Sequence, residues 1–182
     1  MARSVLSSEQ TASTEAWKDK LSELLRSPSV KIALTGVGNP LRSDDYVGSY
    51  VVKILIDANR AQFKNAYLID AENNVESLIT KIQNIGAKHV IFIDACQMGL
   101  KPGTVSLFPV EDTSYPFFTT HGIPLKLLAK QLLPESKVWV LAVEPNRTDF
   151  GEGLTQEVAD SALTISRLIT QNLRNGGQTI IG

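Results

Sequence analysis

Lys31-Ile-Ala-Leu-Thr-Gly-Val-Gly-Asn-Pro-Leu-Arg-Ser-Asp-Asp45 is the stretch on which the fold turns. Lys31 to Val37 is a nearly continuous apolar run of strand length, as expected of a strand buried on both faces in a parallel sheet. A turn containing glycine, asparagine and proline ends it. From Asp44 to Asn59 the residues Val47, Val51, Ile54 and Leu55 then fall on one helical face. Three later runs repeat the strand signature: Ala66–Asp70, His89–Ala95 and Lys137–Val143. Helical periodicity separates or follows them at Val75–Ile85, Pro124–Leu133 and Leu154–Leu173. An extra extended piece, Gly103–Val110, follows the Pro102-Gly103 turn. This alternation predicts an α/β fold with an open, mostly parallel sheet and helices on both faces.

Upstream, Trp17, Leu21, Leu24 and Leu25 give Glu15–Arg26 the spacing of an amphipathic helix. Residues 1–14, rich in Ser, Thr and Ala, have the composition of a disordered N-terminus, and a single domain is expected over 15–182. The 182 residues are 43% hydrophobic, and 18 basic against 19 acidic side chains leave a formal net charge of −1. Lys and Arg are scattered, with no basic stripe, which argues against a nucleic-acid partner. Apolar runs are short and interrupted, so no membrane insertion is expected. The N-terminus lacks the apolar stretch of a signal peptide. Cys96 stands alone, which excludes an internal disulfide and a Cys-based zinc knuckle. A soluble, cytoplasmic protein is the expectation.

In open α/β sheets ligands bind beyond the carboxyl ends of the strands, where the strand order switches. The first strand is followed by Gly36-Val-Gly-Asn-Pro-Leu-Arg-Ser-Asp-Asp45, and the second ends in Asp70-Ala-Glu72. Asp94-Ala-Cys96 closes the third, and Thr119-Thr-His121-Gly122 precedes the next helix. Acids and an imidazole thus collect on one predicted rim. Carboxylates gathered in this way repel one another unless a cation or helix N-termini offset them. Asp45, Asp94 and His121 together form a mixed oxygen and nitrogen donor set suited to a borderline divalent metal such as nickel or zinc. Three protein ligands leave positions open, which is a catalytic arrangement rather than a structural one.

Each residue also has a plainer reading. Asp44 and Asp45 can serve a helix N-terminus with Ser43 as its cap. His121 can be a simple loop histidine, His89 reads as structural, and Cys96 as a small buried side chain. Gly36-Val-Gly-Asn invites a dinucleotide-binding reading. However, Leu41 stands where the third glycine belongs, and two aspartates occupy the place of the pyrophosphate.

Three segments resemble one family. Gly36-Val-Gly-Asn-Pro-Leu-Arg-Ser-Asp-Asp-Tyr-Val-Gly48 is similar to the opening motif of the hydrogenase maturation endopeptidases. Ile93-Asp-Ala-Cys-Gln-Met-Gly-Leu-Lys-Pro-Gly103 resembles their central segment, and Thr119-Thr-His-Gly-Ile-Pro-Leu125 their histidine loop. The order and spacing agree over roughly residues 30–173, most like the branch serving formate hydrogenlyase-type complexes. The resemblance implies a three-layer α/β/α sandwich and an aspartic-type endopeptidase. Its substrate would be a nickel-loaded nickel-iron hydrogenase large-subunit precursor, from which it removes the C-terminal extension. It places the metal contacts and catalysis on Asp45, Asp94 and His121, with Asp44, Asp70 and Glu72 as supporting acids behind them. Nickel would come with the substrate, and no organic cofactor is implied. Ala71 and Glu72 stand where family members often have two glycines, and the first 28 residues or so lie outside the resemblance. Three rivals remain: a non-catalytic nickel-binding maturation chaperone, a cysteine hydrolase built on Cys96 and His121, and a related peptidase acting on another precursor.

Overall fold

The computed structural model describes residues 7–27, 29–58, 63–72, 75–111, 125–132 and 135–175. Four parallel strands and one antiparallel strand form a single sheet in the order β2-β1-β3-β5-β4. They are β1 (Ile32–Val37), β2 (Ala66–Glu72), β3 (His89–Ala95), β4 (Val105–Pro109) and β5 (Lys137–Val143). Within the apolar run that opens the fold, every residue of Ile32–Val37 is buried. The extra extended piece becomes β4, which closes one edge by pairing antiparallel with β5.

Helices cover both faces of the sheet. On one side α1 (Ser7–Leu25), α2 (Val47–Ala58) and α5 (Gln156–Asn175) enclose a core that includes Leu34, Val51, Leu55, Ile91, Ile93, Leu141 and Ile165. On the other side α3 (Val75–Ile85) and α4 (Leu125–Leu132) bury Leu78, Ile82, Ala129 and Leu132 against Val90, Phe92, Val138 and Val140. Along α5 the inward positions are Val158, Ala162, Ile165 and Ile169, the stripe expected from a 3.6-residue repeat. Three layers result, as expected. Among the described residues no helix is long and apolar enough to cross a membrane.

Helix α1 begins at Ser7, so Ser7–Thr14 are helical where composition had suggested disorder. Extending an existing helix costs far less than nucleating one, and the docked turns from Trp17 onward supply the nucleus. Trp17, Leu21, Leu24 and Leu25 are all buried, each stabilising the docked helix by roughly 1.5–3 kcal/mol. The Arg26 guanidinium donates to Asn172 Oδ1 (2.8 Å), and Asn172 Nδ2 donates to Ser22 Oγ (3.1 Å), fastening α1 to α5. Residues 17–25, outside the family resemblance, thus contribute to the core.

The chain passes from β1 to one side for β2 and to the other side for β3. The strand order consequently reverses between β1 and β3, whose carboxyl ends open the crevice where a site is expected.

Candidate active site

Beyond β1 the chain turns through Gly38–Arg42 into a 3-10 turn, Ser43–Tyr46, and α2 begins only at Val47. Asp44 and Asp45 therefore ride on that turn and not on the first turn of an α-helix. Ser43 is not its cap, because the capping position is Arg42 and carries no side-chain cap bond. Ser43 has φ 50, the only positive value at a non-glycine among the described residues. Such a conformation costs on the order of 1–3 kcal/mol and persists only where neighbours over-determine it.

Those neighbours come from residues 146–155. The Ser43 N–H donates to the Gly151 carbonyl (2.8 Å) and the Ser43 hydroxyl to that of Gly153 (3.1 Å), while Arg147 Nε donates to Ser43 Oγ (2.9 Å). Asp44, fully buried, accepts the backbone N–H groups of Asn146 (2.9 Å), Arg147 (3.0 Å) and Thr155 (2.7 Å), and the Thr155 hydroxyl besides. A carboxylate so occupied is a strut: Asp44 holds the distant loop against the turn, and the turn in turn presents Asp45.

Asp45 is also fully buried, with Oδ2 accepting the Asn39 N–H (3.2 Å). Asp94, near the end of β3, is fully buried, and its Oδ1 accepts the Ala95 N–H (2.8 Å). Both residues take part in further interactions. What brings their two elements together is glycine. A Cβ at Gly48 would fall on the carbonyl oxygens of Ile93 and Val37, and a Cβ at Gly36 on that of Gly48. Only hydrogen at both positions lets the start of α2 press against the ends of β1 and β3. The turn carrying Asp45 thus packs on the strand carrying Asp94. The close-packing glycine sought by the dinucleotide reading does exist, but it stands at 48, on the far side of the acidic turn.

Asp70 ends up beside this crevice, in register with Gly36. Lys53 from α2 approaches it to 3.4 Å and lies 5.1 Å from the Tyr46 ring centroid. The Tyr46 hydrogen bond, aided by the charge of Asp70, raises the Lys53 ammonium above the usual lysine range against a smaller desolvation effect. Next to Asp70 the register skips, so that Gly36 faces Asp70 and Val37 faces Glu72, with Ala71 as the extra residue. The departure from two glycines thus coincides with a bulge. The Glu72 side chain and the whole of His121 lie outside the described residues, so the expected imidazole of the set is not located. Among the described residues no three His, Cys, Asp or Glu side chains form a metal-holding group.

Sequence reading passed over Glu144, although the same strand-end rule points to it immediately after β5. It is buried, and its Oε2 accepts the N–H groups of Met98 (2.7 Å) and Leu100 (3.1 Å), shaping the loop after β3. Cys96 is fully buried, and burial first, then the charges of Asp94 and Glu144, push its thiol well above the usual range. A thiol held protonated is a poor nucleophile. Cys96→Ala should therefore retain at least about half of the processing activity, as for a volume-reducing change that removes no reacting group. A folded but inactive Ala variant in a mass-based cleavage assay would restore the cysteine-hydrolase reading. His89 is kept below the usual imidazole range by burial and by Lys137 and Lys20, in keeping with a structural role.

Comparison with known proteins agrees with this architecture. Residues 50–172 match the model of the HycI hydrogenase maturation protease family. The hydrogenase 3 maturation protease of Escherichia coli (strain K12) is 29% identical over 143 residues, spanning 78% of this chain and 90% of that protein. The solution structure of an endopeptidase HycI from Escherichia coli shares 28% identity at a TM-score of 0.68, covering 81% of this chain and 94% of that one. A NiFe hydrogenase maturation protease HycI from Thermococcus kodakarensis KOD1 has the same fold, with a TM-score of 0.75 at 24% identity over 86% of this chain and 99% of its own. With motif order, fold and family model in agreement, this chain belongs to the hydrogenase maturation proteases and is an endopeptidase of hydrogenase maturation.

Proposed function

We propose that this endopeptidase removes the C-terminal extension of a nickel-loaded nickel-iron hydrogenase large-subunit precursor, and that it recognises the nickel through Asp45, Asp94 and His121. The observation that carries this reading is the full burial of two carboxylates, Asp45 and Asp94, on elements packed together at the crevice between β1 and β3. Buried carboxylates are costly unless something offsets their charge. A nickel ion arriving in the precursor adds an attraction for these carboxylates that a nickel-free precursor lacks. Selectivity for loaded substrate then follows from a missing attraction. In this scheme nickel is the handle that docks the precursor. A carboxylate takes the proton of the attacking water, and Asp44 and Glu144 hold the surrounding loops without touching substrate.

Nickel-loaded precursor should lose its C-terminal extension within the time in which nickel-free precursor stays intact, a rate difference of about a hundredfold or more if one multiply coordinated ion supplies the docking energy. Intact mass spectrometry of both precursors, before and after addition of the protein, reads this directly. Equal cleavage of the two forms removes nickel from recognition. Stable binding of loaded precursor without any change of mass removes the C-terminal extension of this precursor as the segment that is cut.

A further inference from the structure

Three large apolar side chains on the rim of the site are not used by the core. Phe150 is 87% exposed, Leu41 49% and Leu100 41%. A single exposed leucine is ordinary, but these come from three loops that all lie at the carboxyl end of the sheet: after β1, after β3 and after β5. Among the described residues the other large apolar side chains this exposed, Ile56 and Leu163, are on the helices α2 and α5.

The three are also built into the site's own scaffold. A parallel bridge joins Arg42 to Gly151; the Gly151 N–H donates to the Leu41 carbonyl (3.0 Å) and the Ser43 N–H to the Gly151 carbonyl (2.8 Å). In that register Leu41 stands beside Phe150, one position ahead of the bridged pair. Arg42 instead directs its Nε to the Thr148 carbonyl (3.3 Å). The Leu41 N–H donates to Asn39 Oδ1 (3.0 Å), and the Asn39 N–H donates to Asp45 Oδ2 (3.2 Å), so two hydrogen-bonded steps separate this exposed leucine from a buried carboxylate of the site. Leu100 is fixed through its N–H to Glu144 Oε2 (3.1 Å). Apolar side chains on a backbone this well fixed lose little freedom when covered, which is the property of anchor residues in interfaces.

We infer that Leu41 and Phe150, with Leu100 from the neighbouring loop, form an apolar docking edge for the precursor polypeptide, receiving apolar side chains from the segment around the scissile bond. This rests on the reading that the precursor is cut at the corner holding Asp45 and Asp94. Continuity with that corner selects the precursor over a second copy of this chain as the occupant.

The test uses the full-length protein with both residues changed, Leu41→Ser and Phe150→Ser. KM for nickel-loaded precursor should rise on the order of tenfold or more, as for loss of two anchors, with kcat within about twofold. Phe150→Leu should recover most of the loss, and Ile56→Ser with Leu163→Ser should leave KM unchanged. Precursor affinity, read by biolayer interferometry in an Asp94→Asn background with and without the two rim changes, should fall by the same factor. That second arm remains readable even if the wild-type protein cleaves nothing, so failure of the cleavage reading is distinguishable from failure of the docking edge. Unchanged KM and affinity overturn the inference. So does a fall in kcat alone, or a dimer in sedimentation velocity that the rim changes dissociate without altering precursor affinity.

Discussion

Asp94→Asn should reduce removal of the precursor extension by about a hundredfold or more, the scale of losing a group that moves a proton in the transition state, while leaving the protein folded. The side chain is fully buried near the end of β3, and Oδ1 accepts the neighbouring Ala95 N–H at 2.8 Å. Asparagine has the same shape and keeps an acceptor oxygen for that bond, so packing and backbone are retained. What disappears is the negative charge, and with it, in the proposed scheme, both an anionic donor for nickel and a base for the attacking water. The thermal midpoint should shift by no more than about 4 °C, corresponding to a change of about 1 kcal/mol in a domain of this size. Scanning calorimetry and intact mass spectrometry on one preparation separate the two effects. An Asn variant that processes nickel-loaded precursor at the wild-type rate removes Asp94 from the mechanism.

Gly48→Ala, by contrast, should damage the fold itself. Its Cβ would fall on the Ile93 and Val37 carbonyl oxygens, groups of buried strands that cannot step aside as a flexible side chain can. Overpacking a core typically costs about 1–3 kcal/mol, and a clash with sheet backbone belongs at or above the upper end. About 3 kcal/mol corresponds to a fall of roughly 6–12 °C in melting temperature. The same displacement separates the Asp45 turn from β3, so processing falls with stability. Gly151→Ala is the matched control: the nearest atom to its added methyl is Arg147 Nη2 at 3.7 Å, an ordinary contact. It should melt within about 2 °C of wild type, as expected for a change under 1 kcal/mol. A Gly48→Ala protein as stable as this control contradicts the close approach.

The glycine also explains why the corner was only half legible beforehand. Gly48 was visible as part of a family-like motif, yet nothing local says that its α-carbon must meet the Ile93 carbonyl, 45 positions away. The adjacent acids show the same limit. Position alone makes Asp44 and Asp45 alike, both at an expected helix N-terminus, and only the family resemblance set Asp45 in the metal-binding group with Asp44 behind it. In the fold Asp44 is taken up by three N–H groups and a hydroxyl from residues 146–155, while Asp45 is bound locally to Asn39. Glu144 was within reach of the same strand-end logic that singled out Asp70 and Asp94. Its task of holding Met98 and Leu100 depends on a loop that hydrophobic patterning does not place.

From the sequence by itself came the strands and helices, the two-sided burial of β1, β3 and β5, and the gathering of acids at the carboxyl end of the sheet. These are short-range properties, since apolar periodicity and chain direction act within one element and its neighbours. The tertiary structure alone decided the strand order β2-β1-β3-β5-β4, the reversed direction of β4, the docking of α1, and the division of the acids into struts and candidate reacting groups. The physical reason is that a buried carboxylate takes its role from the donors that meet it, and here those donors arrive from loops about a hundred residues away.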